Sequence, residues 1–159
     1  ELDSLTTAKL ITKALQGREY DLVFCGRQAI DDDAFQVGSL LAEMLNLPQI
    51  SMVVKLEVDG NTVRAQRTVE GGIQVLEASL PLLLTAQKGL NTPRYPSLLG
   101  IRNARKKPIE ELEAANLGVD LTSKVKIEEL SLPPARPSSR IVESVSELVR
   151  LLHEEAKVL

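Results

Sequence analysis

Apolar positions follow two periods along the chain, and the expected fold changes where the period changes. Leu5, Ala8, Ile11 and Leu15 recur at helical spacing, with Asp3 or Ser4 placed to cap the start and Gly17 to cap the end. Asp21 to Cys25 is a short apolar run suited to a buried strand, and Gly26 ends it. Val37, Leu40, Leu41, Met44 and Leu45 then return to one helical face. After Pro48 the period drops to two: Met52, Val54, Leu56 and Val58 alternate, Asp59-Gly60 reads as a hairpin turn, and Val63 and Ala65 resume the alternation. Glu70-Gly71-Gly72 offers a second turn before a strand from Ile73 to Leu80, and Pro81 to Ala86 is apolar throughout, as a strand buried on both faces is. An antiparallel meander thus interrupts an α/β core. A helix feeding a strand is the second half of a βαβ unit, so the parallel sheet reads as incomplete at its N-terminus, as in a fragment or a chain lacking N-terminal residues.

The strand, loop and helix from Asp21 to Gln49 organise the rest. Open α/β sheets bind ligands where loops leave the carboxyl ends of strands, and a helix starting there presents unpaired amides and a partial positive charge. Asp33 suits the N-cap of that helix, with Gln36 at the third position of a capping box. Gly38 costs about 1 kcal/mol inside a helix, which close approach of a phosphate or of a packed strand would explain. The alternative is that Asp31, Asp32 and Asp33 form a solvated turn: three carboxylates repel a phosphate, and a glycine-rich fingerprint is lacking.

Downstream, Ser97 to Ala104 suits a short helix presenting Leu98, Leu99 and Ile101, followed by the basic cluster Arg102, Arg105, Lys106 and Lys107. A solvated helix end and a docking surface both fit that pattern. Ile109 to Ala115 is a short helix or irregular chain, Asn116 to Asp120 a turn, Val125 to Leu130 a candidate strand, and Leu132 to Arg140 a proline-rich connector. A capping box at Ser144 and Glu147 opens a final helix whose apolar face holds Val145, Leu148, Val149, Leu152 and Ala156. That face packs either on its own domain or on a partner subunit.

Composition narrows the classes. At 159 residues and 43% hydrophobic content the chain can bury one proper core, and its formal charge of -3 argues against nucleic acid. No stretch approaches the roughly 20 apolar residues of a membrane span, and the first residues do not read as a signal peptide. Cys25 is the single cysteine and His153 the single histidine, too sparse for an internal disulfide, a histidine-based triad or a typical zinc site.

The run from Ala65 to Leu76, AQRTVEGGIQVL, followed by Pro81, Leu83, Leu84 and Thr85, resembles the signature of the β subunit of electron transfer flavoproteins. Gly26 to Asp33 with Gln36 and Gly38, Leu90-Asn91 with Pro93-Arg94-Tyr95, and Leu117 to Asp120 agree with it. The resemblance covers essentially the whole chain and lacks the family's N-terminal third. It implies an α/β, Rossmann-like fold of the adenine-nucleotide α-hydrolase-like type, with an inserted β-meander. It further implies a nucleotide-binding domain over 1–108, including a partner-recognition loop at about 88–107, and an arm and helix over 109–159 that pack on an α subunit.

The family's β subunit pairs with a larger α subunit that carries most of the redox-active FAD, and itself holds AMP or a second FAD. The heterodimer carries electrons from flavin-dependent dehydrogenases, such as acyl-CoA dehydrogenases, to a membrane quinone reductase or another acceptor, without substrate turnover of its own. It works in the cytoplasm, or in the mitochondrial matrix of a eukaryote. By resemblance the nucleotide site comprises Gly26, Gln28, Ala29, Asp32, Asp33, Phe35, Gln36, Val37 and Gly38, with backbone amides near Ala29, Asp32, Gln36 and Val37 meeting phosphate and ribose. Arg67 reaches toward the flavin, or else pairs with Glu70 or is a solvated strand residue. Leu98 anchors a dehydrogenase, supported by Tyr95, Leu99 and Ile101. Phe35 and Val37 replace smaller or polar residues of many relatives, which shifts binding onto backbone amides. Thr68 replaces a glutamate that assists docking in some relatives. Two other classes remain: a freestanding adenylate-binding module of the universal-stress type, and an ATP pyrophosphatase using Asp31 to Asp33 for magnesium.

Overall fold

The structure, a computed structural model, describes residues 2–135 and 139–158, so residue 1, residues 136–138 of the expected proline-rich connector and residue 159 lie outside it. The chain divides into two compact units, Glu1–Lys126 and Ile127–Leu159.

In the first unit, α1 (Ser4–Leu15) leads into strand β1 (Leu22–Gly26), a loop, and α2 (Val37–Met44). Strands β2 (Gln49–Asp59), β3 (Thr62–Val69), β4 (Gly72–Ser79) and β5 (Leu82–Ala86) follow. The five strands form one open sheet in the order β1-β5-β2-β3-β4. β5 runs parallel to both β1 and β2, whereas β2, β3 and β4 form the antiparallel meander. The expected α/β sheet with an inserted meander is therefore the observed one. The β3–β4 turn is the two residues Glu70-Gly71, and Gly71 takes a φ of 81°, which a side chain would disfavour.

Burial divides along β5, whose first four residues are fully inside. Leu82 and Leu84 join Ile50, Val53, Val63 and Ala65 on one face, where the meander supplies the cover. Leu83 packs on the other face with Leu41 and Ala42 of α2, flanked by Ile11 and Leu15 of α1. An apolar run without alternation is what a strand covered on both faces requires.

Strand β2 departs from the simple alternation expected of it. Met52 has a φ of 58°, and the pairing shifts between Ile50 and Val53 and again between Val53 and Lys55. Each shift inserts residues that lack a ladder partner and bends the strand. Ile50, Val53 and Leu56 therefore reach the same core cluster at intervals of three. Met52, which the alternation groups with Leu56, is only half-buried.

The Met52 amide, turned out of the ladder, donates to Thr85 Oγ1 at 2.9 Å. The Thr85 methyl faces α2: a Cβ built on Gly38 would lie 2.6 Å from Thr85 Cγ2 and 3.6 Å from Cys25 Cβ. The close approach at Gly38 is thus to the sheet, the second of the two explanations the sequence allowed.

At the chain's start, Asp3 is the N-cap of α1, accepting from the Thr6 amide at 2.7 Å. It also accepts from the Lys124 amide and, at 3.4 Å, from Ser123 Oγ, tying the end of this unit to its first helix. These bonds, the Thr6 amide foremost, lower its carboxyl from the ordinary 3.8 to about 2.

Three segments resolve differently from or more narrowly than expected. Residues 125–130 form no strand, and Val125, Ile127 and Leu130 are exposed. The stretch from 109 is irregular until a 3-10 turn at Ala114–Leu117. In the second unit, α4 (Val145–Glu154) is capped as expected, with the Ser144 hydroxyl accepting from the Glu147 amide at 3.2 Å. Its buried residue is Leu151, while Val145, Leu148 and Val149 of the expected apolar face are exposed.

Two expected outcomes follow. Gly38→Ala forces the Thr85 methyl aside and should destabilise the protein, since overpacking costs about 1–3 kcal/mol against about 1 kcal/mol of helix propensity regained. Adding Thr85→Ser, which removes that methyl and keeps the hydroxyl, should recover most of the loss in denaturant unfolding; strictly additive losses would contradict the contact. For Asp3, the depressed carboxyl stabilises the fold fully above its ordinary 3.8, and this contribution disappears as pH falls through about 2. The gap in unfolding midpoint between the parent and Asp3→Ala should be present at neutral pH and close over that acid range, whereas a gap independent of pH would argue against a charged cap.

Candidate functional site

The carboxyl ends of β1 and β5 lie side by side, with Gly26 opposite Ala86, and the loop leaving β1 forms one wall of a cleft there. The cleft measures about 410 Å³, within the range of small-molecule pockets. Gly26, Gln28 and Ala29 line it from the start of the loop. Asp32, Phe35 and Gln36 line it further on, and Val37 and Gly38 from the first turn of α2. Ser4 and Ile11 of α1 complete the wall.

Two expected site residues lie elsewhere. Asp33 does not line the cleft and does not cap α2, which begins at Val37 with Gln36 as N-cap and no side-chain cap bond. The reason is a reversal of the chain: Asp33 and Phe35 have φ of 51° and 57°, and the Asp33 amide donates back to the Ala29 carbonyl at 3.2 Å. An N-cap side chain requires extended backbone at its own residue, which Asp33 lacks. Left-handed backbone at non-glycine residues costs on the order of 1–3 kcal/mol each and concentrates at functional sites. Arg67 is also outside the cleft. It is on β3, donating from Nε to Gln74 Oε1 at 2.8 Å and from Nη1 to Ser51 Oγ at 3.2 Å, rather than pairing with Glu70.

The same geometry answers the objection from charge. Of the three adjacent carboxylates, Asp32 alone lines the cleft. Asp31 Oδ1 accepts from the Asp32 amide and Asp32 Oδ1 from the Ala34 amide, each at 3.1 Å, so both carboxylates help to shape the loop. The Asp32 amide, an expected ligand contact, is taken up in this way. The amides of Val37, Gly38 and Ser39 have no hydrogen-bond partner among the described residues, as the first turn of an uncapped helix leaves them. Together the cleft offers orphan amides, a carboxylate, two glutamine side chains and one cation, Arg27, which the sequence reading did not single out. That donor set suits a phosphate and a ribose. Cys25 is part of the wall, and burial pushes its thiol up, away from thiolate chemistry at neutral pH.

The second expected surface is separate from the cleft. α3 (Leu98–Ala104) is capped by Ser97, whose hydroxyl accepts from the Gly100 amide at 3.0 Å, and buries none of its residues. Leu98 is 89% exposed and Tyr95 99%, with Leu99 and Ile101 also exposed. Among the described residues no helix is long and apolar enough to cross a membrane.

Comparison with known proteins joins these features. A family model described as "Electron transfer flavoprotein domain" matches residues 1–117. The electron transfer flavoprotein subunit beta of Bacillus subtilis is 42% identical over 167 aligned residues, covering 100% of this chain and 65% of that protein. The subunit of the same name from Mus musculus is 39% identical, covering 99% of this chain and 62% of its own length. That from Thermoanaerobacterium thermosaccharolyticum is 49% identical over 74% of this chain and 46% of its own. The chain thus spans less than two thirds of the length of each of these relatives. With the family model matching residues 1–117 and relatives of this name aligning along nearly its whole length, the chain belongs to the electron transfer flavoprotein family, among its β subunits.

Proposed function

We propose that this chain is the β subunit of a two-subunit electron carrier, paired with a larger α subunit that holds the redox-active FAD, and that its own cleft holds AMP or a second FAD. The observation that carries the nucleotide reading is the cleft at the ends of β1 and β5, walled by a helix whose first amides have no hydrogen-bond partner among the described residues. The flavin supplies storage and release of electrons; this chain supplies binding and orientation. The amides of α2 hold the phosphate, Asp32 offers its remaining oxygen to a ribose hydroxyl, and the packing of Gly38 on Thr85 fixes the helix end against the strand ends. Gln28 and Gln36 offer amide groups on either side of the loop. Arg67, oriented by Gln74 and Ser51, faces the subunit boundary, where a cation stabilises a reduced flavin.

Electrons arrive from flavin-dependent dehydrogenases, acyl-CoA dehydrogenases among them, and leave to a quinone reductase or another acceptor. Docking runs through Leu98, with Tyr95, Leu99 and Ile101 around it. A short helix held by its cap and burying none of its residues can surrender its leucine to a partner pocket without unpacking its own core. One such leucine contributes about 1.5–3 kcal/mol, enough for a brief encounter and too little for a permanent one. The second unit, with its exposed Val145, Leu148 and Val149, packs on the α subunit.

Leu98→Ala should raise the KM for the carrier in dehydrogenase assays by roughly tenfold or more while leaving flavin content unchanged. Equal kinetics would remove this helix from docking. Removing residues Ser144 to Leu159 should lower the yield of the two-subunit complex on co-expression, and an undiminished yield would mean the helix serves its own chain.

A further inference from the structure

The register of the parallel strands brings together two side chains far apart in sequence. Because Gly26 is opposite Ala86, the next residues, Arg27 and Gln87, emerge side by side past the carboxyl ends of β1 and β5. Arg27 Nη1 donates to Gln87 Oε1 at 3.2 Å, and Gln87 is itself held by its amide, which donates to the Val53 carbonyl at 3.0 Å. The guanidinium carbon is 5.3 Å from the centroid of the Phe35 ring, a cation–π distance. Phe35 reaches that position from a backbone φ of 57°.

Arg27 is the one cation among the residues lining the cleft. Among the described ion pairs it has no carboxylate partner, although three aspartates share its loop; Asp31 and Asp32 accept instead from backbone amides. A guanidinium has five N–H groups in a planar fork, and the bond to Gln87 uses one. The others remain for an anion, and the fork fits two oxygens of one phosphate.

The geometry points to Arg27 as the side chain that selects a phosphorylated adenosine over an unphosphorylated one in this cleft, with Phe35 and Gln87 as its positioning residues. The inference rests on the cleft taking an adenine nucleotide. The orphan amides of α2 attract any acceptor at the helix end, whereas a full positive charge rewards the phosphate specifically and makes binding sensitive to salt. Phe35 then has a role beyond filling space: its ring, 5.3 Å from the guanidinium carbon, helps to hold the cation in place.

The test is calorimetric titration of the full-length protein, stripped of bound nucleotide, with AMP and with adenosine at low and high salt. Arg27→Gln should weaken AMP binding about 10- to 100-fold and flatten its salt dependence, leaving adenosine within about twofold. Arg27→Lys, which keeps the charge without the fork, should recover part of the preference for AMP. Phe35→Leu should weaken AMP binding in the parent and have little further effect in Arg27→Gln, a coupling that a merely structural ring would not show. Equal losses for AMP and adenosine in Arg27→Gln, or no loss, would overturn the role of Arg27 while leaving the nucleotide reading intact. A parent protein that binds neither compound would overturn both.

Discussion

The seating of α2 on the end of β5 is the contact on which the rest of the site depends. Gly38 has no side chain, so the helix lies against the Thr85 methyl at a distance no other residue would permit. Its first turn therefore begins level with the carboxyl ends of the parallel strands rather than above them. Among the described residues the helix end has no side-chain cap bond, and Gln36, Val37 and Gly38 line the cleft. Both features serve one geometry, because a capping side chain would occupy the place where an anion can sit.

Thr85 links this helix to the meander. Its methyl meets Gly38, and its hydroxyl accepts the amide that Met52 turns out of the β2 ladder. The strand bends at that point, leaving its parallel pairing with β5 for the antiparallel pairing with β3. Adjacent Ser51 accepts from Arg67, so the bend that lets β2 serve two kinds of pairing also fixes the cation on β3. A single strand is in this way shared between the parallel core and the antiparallel meander.

Much of this was legible in the sequence because it is local. The apolar run Leu82 to Leu84 of β5, the glycine turn of the β3–β4 hairpin, the capping Asp3 and the Ser144 cap each depend on neighbours within a few residues. Asp33 was misplaced as a cap because nothing in its residue type foretells that it and Phe35 adopt left-handed backbone, and that reversal delays the helix to Val37. The core spacing of β2 was hidden for a similar reason: Ile50, Val53 and Leu56 share a cluster only because the register slips twice. Arg27 escaped notice since its partners are set by the sheet; Gln87 is sixty residues away and meets it through strand register alone. The family and the loop are local in sequence, while the cleft's chemistry depends on contacts between residues far apart in the chain.

The central claim is that the cleft at the ends of β1 and β5 serves nucleotide binding within a flavin-bearing carrier. The most direct measurement is the visible absorption of the protein purified with its natural partners, together with the mass of the nucleotides released on denaturation. The account predicts a yellow complex containing a larger second chain and releasing FAD with AMP, or FAD at twice the amount. A colourless single chain releasing ATP, or no nucleotide, would contradict it.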